Sequence, residues 1–147
     1  MTGLNHAITG IAIAVSVKHP LLAPLLALAS HFLLDMVPHF GHPAMKPGSR
    51  FFRNVIVADG LGMIIVTVTA MWLFPQLDLL IGACAFLAFA PDIVWYYKYF
   101  RADHPVTRAL HGFMNFAMRI QWYEKPPGAI VEAVHFVVIV WVISLYR

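Results

Sequence analysis

Seven ionisable side chains lie inside apolar segments of this sequence, away from the segment ends. They are His6, His31, Asp35, Asp59, Asp92, Glu132 and His135. An ionised carboxylate is costly in apolar surroundings, and no lysine or arginine lies in the middle of these segments to neutralise it. The acids must be protonated, reach water or share a bound cation. Mixed histidine and carboxylate ligands suit zinc, manganese or iron, so we predict a divalent metal ion, with zinc preferred.

Two pairs among these residues have helical spacing. His31 and Asp35 are four residues apart, and Glu132 and His135 are three apart, so each pair lies on one helical face. Both pairs could chelate a metal, although a single Glu-x-x-His pair also occurs often by chance. The alternative for His31 and Asp35 is a mutually hydrogen-bonded pair at a helix end.

Structural alternatives exist for three of the other residues. His6 could be an interfacial histidine near the amino terminus. Asp59 could belong to a tight helix contact beside Gly60. Asp92 could satisfy backbone groups that Pro91 leaves free at a kink.

The composition indicates which kind of protein carries these groups. The chain of 147 residues is 61% hydrophobic and 12% charged, which leaves too little polar surface to cover a soluble globule. The net charge of +3 comes from cations scattered singly along the chain, so we expect no nucleic-acid partner. We predict an all-α, polytopic transmembrane helical bundle, with residues 1–147 forming a single integral-membrane domain and the lipid bilayer as its partner.

Proline and glycine divide the chain into six predicted helices. They cover about 2–17, 21–37, 53–74, 77–100, 105–124 and 129–146, with Thr2 as the first cap and a kink at Pro91. Five are predicted to span the membrane. The fifth, 105–124, carries a polar stripe at spacings of three and four, formed by Arg108, His111, Asn115 and Arg119. We expect it to lie as an amphipathic helix in the interface; a span with its stripe facing a cavity is the alternative.

The cations also predict an orientation. Lys18 is expected outside, whereas the larger group is cytoplasmic and comprises Lys46, Arg50, Arg53, Lys98 and Arg101. The amino terminus is then cytoplasmic. If 105–124 does not cross the membrane, all the buried ionisable groups lie near this one surface.

Three segments resemble a known family. The stretches 5-NHAITGIAIA-14, 31-HFLLDMVPHFGHP-43 and 90-APDIVW-95 look like those of the predicted membrane-bound metal-dependent hydrolases, a bacterial inner-membrane family. By this resemblance, His6 matches the early histidine, Asp35 and His39 match the acid and histidine after the second helix, and Asp92 matches the Pro-Asp acid. The family's later His-Arg-Gly-type motif has no clear counterpart here.

Together these patterns predict a membrane-embedded metal-dependent hydrolase. The metal would be held by His6, His31, Asp35 and Asp92, with Asp59 and His39 as further candidate ligands, and would activate water for attack on an ester. The candidate catalytic base is Glu132 or His135. The candidate substrate-binding residues are Arg108, His111 and Arg119, which would hold the phosphate of a lipid-like phosphoester or acyl ester at the cytoplasmic membrane face. The alternatives are a small proton- or metal-ion-coupled transporter and a haem-binding membrane protein.

Overall fold

The computed structural model describes residues 1–100 and 104–147, without the side chains of residues 96–98 and 100. The topology prediction for the side chain of Lys98 and for Arg101 falls outside this part. The α-helices are α1 Gly3–Val17, α2 Leu22–Asp35, α3 Arg50–Leu73, α4 Asp78–Phe89, α5 Ile93–Phe100, α6 Pro105–Ala109, α7 His111–Ile120 and α8 Gly128–Ser144. The described chain is otherwise two short 3-10 turns, loops and one isolated β-bridge, so the all-α prediction is confirmed.

Helix α1 is the centre of the bundle, because it packs against α2, α3, α4 and α8. Small side chains allow this close packing. A methyl group at Gly10 would overlap the backbone carbonyl of Cys84, which means that α1 and α4 touch backbone to backbone. The hydrophobic core extends along the bundle around this crossing, and its fully buried members include Ala7, Ile11, Ala14, Val15, Ala23, Ala27, Ile81, Cys84 and Ala88.

The outer surface of the bundle is also apolar. Two helical stretches, Arg50–Leu73 and Pro75–Trp95, are long and apolar enough to cross a membrane. Only 6% of the most apolar stretch of the first is buried, which is unlike the core helix of a soluble protein. Helices α1, α2 and α8 are apolar but shorter, with 15, 14 and 17 residues. At 1.5 Å per residue they reach about 21–26 Å, against a hydrocarbon core of about 30 Å. Two of the five predicted spans therefore meet the length criterion.

Proline breaks the fourth predicted helix as expected. The turn Ala90–Asp92 is a 3-10 helix that contains Pro91 and separates α4 from α5. The α-helix is thus interrupted at Pro91, where the sequence predicted a kink, and Asp92 lies in the 3-10 turn.

The prediction of a single helix over residues 105–124 is wrong. The chain forms α6 and α7, separated at Leu110, and residues 121–125 are not helical. A tertiary pairing accounts for residues 121–125: the His39 backbone N–H donates to the Tyr123 carbonyl at 3.1 Å, and the Lys125 N–H donates back to the His39 carbonyl at 3.2 Å. These hydrogen bonds keep the backbone of residues 121–125 out of the helix. The break at Leu110 means that the polar stripe does not follow one continuous helix.

Four helix ends meet at one end of the bundle, which we call the polar end: the starts of α1 and α8 and the ends of α2 and α4. The first half of α3 joins them through Asp59, which accepts from the Gly3 N–H, and Glu132 of α8 accepts from the Thr2 hydroxyl. Asp92 and Glu132 both lie at the polar end. The part of the chain that connects them therefore leaves from this end and returns to it. This is the arrangement that the interfacial interpretation of residues 105–124 requires.

Candidate metal centre

Three side chains converge at the polar end. One ligand atom from each of His6, His31 and Asp35 lies within 4.8 Å of the others, and all three residues are buried. The Nε2 atom of His6 is 3.1 Å from Asp35 Oδ1, and the Nε2 atom of His31 is 3.4 Å from Asp35 Oδ2. Two ring nitrogens therefore face one carboxylate.

Helix geometry explains this convergence. His31 and Asp35 are one turn apart on α2, and α1 brings His6 alongside them so that the two imidazole rings stack with centroids 4.2 Å apart. The Nδ1 atom of His31 is 2.8 Å from the carbonyl of Ala88 on α4. A carbonyl only accepts, so Nδ1 carries the proton and the lone pair of a neutral His31 lies on Nε2, toward Asp35.

Asp92 borders the same site from the 3-10 turn after α4. Its Oδ1 is 3.8 Å from His31 Nε2, and its Oδ2 is 4.0 Å from His6 Nε2. Its side chain is 20% exposed, whereas those of the other three are almost wholly buried. Asp92 is therefore the member of the cluster that reaches the surroundings.

Asp35 has two further partners that the sequence did not indicate. The amino group of Met1 donates to Oδ1 at 2.6 Å, and the side-chain amide of Gln121 donates to Oδ2 at 2.8 Å. Gln121 lies 86 residues away in the sequence, two residues before the segment 123–125 that pairs with residues 39–41. No periodic pattern links it to α2; its only sequence signal is a polar residue just after an amphipathic helix.

His6 retains one unused ring atom. Its Nδ1 is buried and has no hydrogen-bond partner among the described residues. Buried polar atoms are nearly always paired, and this unpaired nitrogen is an exception that lies within the candidate site.

Glu132 and Asp59 lie at the polar end but bind the start of α1. Glu132 accepts hydrogen bonds from the Thr2 hydroxyl, the Asn5 amide and the Phe40 backbone N–H. Asp59 accepts from two backbone N–H groups of the first turn of α1. Thr2 is the N-cap residue of α1, as predicted. Its hydroxyl, however, donates to Glu132 and makes no capping hydrogen bond to its own helix.

The two remaining predicted histidines also have other partners. His135 Nε2 is 2.8 Å from the Thr9 hydroxyl, on the face of α1 that meets α8. His39 is buried and its Nδ1 is 2.8 Å from the Val37 carbonyl, within the bridge to residues 123–125. Neither belongs to the cluster formed by His6, His31 and Asp35.

The three candidate substrate-binding residues lie on the surface. Arg108 is exposed on α6, and His111 and Arg119 are exposed on α7. Helix α7 buries Met114 and Ala117 instead. Its aromatic side chains reach α2 next to the candidate site: Phe32 contacts Phe113 and Phe116 on one side and the His31 ring on the other.

Comparisons of the chain with protein-family models, with curated proteins and with solved structures find no significant match. The family resemblance of the three sequence segments therefore stays a prediction.

Proposed function

We propose that this protein is a membrane-embedded metal-dependent hydrolase whose metal is held by His6, His31 and Asp35. The observation that carries the proposal is the buried convergence of two imidazole nitrogens and one carboxylate. A set of three protein ligands is typical of catalytic zinc sites, which keep one position open for water or substrate, whereas structural sites use four ligands. Iron and manganese accept the same donors.

The distances support this ligand set. Donor atoms about 2.0–2.1 Å from a tetrahedral zinc lie roughly 3.4 Å from one another. The two contacts of Asp35 with the histidines are 3.1 and 3.4 Å, and all three donor atoms lie within 4.8 Å of one another. Small side-chain movements would therefore give a coordination shell. The contact of His31 Nδ1 with the Ala88 carbonyl already holds His31 in the tautomer that ligation by Nε2 requires.

Asp92 lies on the partly exposed side of the site. A bound divalent metal would polarise an ester oxygen and activate water. At 3.8 and 4.0 Å from the two ring nitrogens, and partly exposed, Asp92 is suited to complete the shell or to orient that water. Glu132 and His135, predicted as bases from the sequence, are engaged with α1 in the structure, and Asp92 is the better candidate for this role.

We further propose an amphiphilic substrate at the cytoplasmic face of a bacterial inner membrane. The exterior of the bundle is apolar and the candidate site is at one end. The exposed Arg119 lies on α7, which packs on Phe32 beside His31, and the exposed Arg108 lies on the preceding helix α6. Exposed guanidinium groups on these helices favour a lipid phosphoester over an acyl ester.

A transporter is less well supported. A relay through the bundle needs polar groups along its length. Among the described residues, the buried polar ones are Asn5, His6, Ser30, His31, Asp35, His39 and Glu132, all at or next to the polar end. The rest of the described core is apolar.

A haem protein also fits poorly with this geometry. Bis-histidine ligation places one imidazole on each face of the porphyrin. The His6 and His31 rings stack directly with centroids 4.2 Å apart, so no porphyrin fits between them. A visible spectrum of the purified protein without a Soret band would agree with this argument.

The hydrolase proposal is tested with detergent-purified protein and mixed micelles that contain a chromogenic phosphodiester or acyl ester with a long alkyl chain. Zinc-loaded wild type should release product and chelator-treated protein should not. The variant His31→Gln should lose activity, whereas His42→Gln, at an exposed loop histidine, should keep it. If metal-loaded wild type cleaves neither ester class, the hydrolase assignment is wrong even where a metal is bound.

A further inference from the structure

We propose that Glu132 and Asp59 are positioning residues that clamp the first turn of α1 and thereby place His6 in the metal centre. This inference rests on the proposed metal site. It assigns Glu132 a role different from that of a catalytic base. The first turn of any helix leaves backbone N–H groups without intrahelical acceptors, and here acids from two other helices supply the acceptors.

Glu132 is the α8 half of this clamp. Its Oε1 accepts from the backbone N–H groups of Phe40 at 2.9 Å and Thr2 at 3.2 Å. Its Oε2 accepts from the Thr2 hydroxyl at 2.5 Å and from the Asn5 side-chain amide at 3.0 Å. The residue is 5% exposed, so both oxygens are fully occupied in a buried position. A general base needs a free lone pair directed at its proton donor, and this carboxylate has none to spare.

Asp59 is the α3 half. Its Oδ2 accepts from Gly3 N–H and its Oδ1 from Leu4 N–H, both at 2.9 Å. A methyl group at Gly3 would lie 2.8 Å from Asp59 Oδ2 and 2.7 Å from the Met63 sulfur, so both side chains would have to shift to admit it. The positive end of the α1 dipole favours both carboxylates, which compensates for the absence of a lysine or arginine partner in the apolar segments.

His6 lies directly after this clamped turn. It is three residues beyond Gly3, or about 4.5 Å along the helix axis. Its ring stacks on His31 and its Nε2 meets Asp35, so a rotation or shift of the α1 start would move one ligand relative to the two on α2. The clamp therefore fixes the distance between the two halves of the ligand set.

The test compares wild type, Glu132→Gln and the double variant Asn5→Asp/Glu132→Gln as full-length protein in detergent. Glu132→Gln puts an amide NH₂ opposite the Asn5 amide, so two donors face each other. The double variant reverses the polarity of this pair and restores a hydrogen bond at unchanged net charge. Ile81→Ala, in the fully buried core far from the clamp, serves as the control for loss of stability alone.

Two measurements separate the possibilities. The first is amide hydrogen exchange of the peptide that covers residues 1–10, which reports the clamp without any metal. The second is Co²⁺ binding, followed by the d–d absorption bands, which report ligand geometry. Glu132→Gln should speed exchange in this peptide and raise the Kd for Co²⁺ about tenfold or more, the range for residues that orient metal ligands. The double variant should recover most of both effects, and Ile81→Ala should leave the band shape and the Kd unchanged.

Three outcomes overturn the proposal. Unchanged exchange in Glu132→Gln would show that no clamp exists. Faster exchange with an unaltered Kd and Co²⁺ spectrum would show that the clamp does not position His6. Loss of ester hydrolysis with exchange and Co²⁺ binding intact would make Glu132 the catalytic base. If wild type binds no Co²⁺, the proposed function fails and the positioning of a metal ligand fails with it, while the exchange data still decide whether the clamp exists.

Discussion

Replacing Asp59 by asparagine should destabilise the protein by about 2 kcal/mol. The carboxylate accepts two backbone hydrogen bonds at 2.9 Å, one on each oxygen. Asparagine keeps one oxygen and turns an NH₂ group toward the other N–H, so one charge-assisted hydrogen bond is lost. Such bonds contribute about 1.5–3 kcal/mol. A loss of about 2 kcal/mol lowers the ratio of folded to unfolded protein roughly thirtyfold.

The matched control is Asp78→Asn. Asp78 is exposed at the start of α4 and its Oδ1 accepts only from the adjacent Leu79 N–H among the described contacts. Its replacement should change stability by no more than about 0.5 kcal/mol. Reversible unfolding in mixed micelles, followed by the helical circular dichroism signal, measures both variants. If Asp59→Asn were as stable as Asp78→Asn, the helix-start contacts would contribute nothing and the clamp argument would be refuted.

Three further predictions concern the surface and the site. Replacing both Arg108 and Arg119 by glutamine should weaken binding to vesicles of anionic lipid and leave metal content unchanged; loss of metal would instead place these residues in the metal shell. Gln121→Glu should lower the melting temperature of metal-free protein, because a carboxylate then faces Asp35 across the present 2.8 Å contact, and should tighten Zn²⁺ binding. A weaker affinity for Zn²⁺ would contradict a cation site there. Accessibility labelling of single cysteines in the loop 125–128 should place it on the cytoplasmic side with the amino terminus, and labelling from outside would disprove this topology.

Helix positions followed from local signals. Lys18-His19-Pro20 predicted the end of α1, and the structure ends that helix at Val17 with Lys18 in the left-handed conformation. The start of α3 was predicted three residues too late. Ser49 caps it by accepting from the Phe52 N–H at 3.0 Å, a signal that the sequence contains but that proline and glycine nearby obscured.

The convergence of His6, His31 and Asp35 was predictable because each lies at a similar depth from one surface. Their burial among apolar residues, without lysine or arginine, indicated that they must meet one another. The Gln121 contact was not predictable, since it depends on a tertiary pairing between 39–41 and 123–125 that no periodicity encodes.

The distinction between ligand and clamp was also beyond the sequence. Asp35, Asp59 and Glu132 are each an acid in an apolar helix, and both Asp35 and Glu132 have a histidine one turn away. What separates them is the nearest neighbour in space. Asp35 faces two imidazole nitrogens, whereas Asp59 and Glu132 face backbone N–H groups at the start of α1. Helix packing decides this, and packing depends on contacts between residues far apart in the chain.

The metal content of the purified protein tests the central claim most directly. Wild type, Asp35→Asn and Asp78→Asn are prepared from metal-replete cells, passed through a desalting column in detergent, and analysed for zinc, iron and manganese per chain. We expect about one metal ion per chain in wild type and Asp78→Asn, and far less in Asp35→Asn, because the buried carboxylate that faces both histidine nitrogens is one of the three proposed metal ligands. Wild type without metal, or Asp35→Asn with the wild-type content, would contradict this expectation and leave His31 and Asp35 as a hydrogen-bonded pair in which His31 carries a proton on both ring nitrogens.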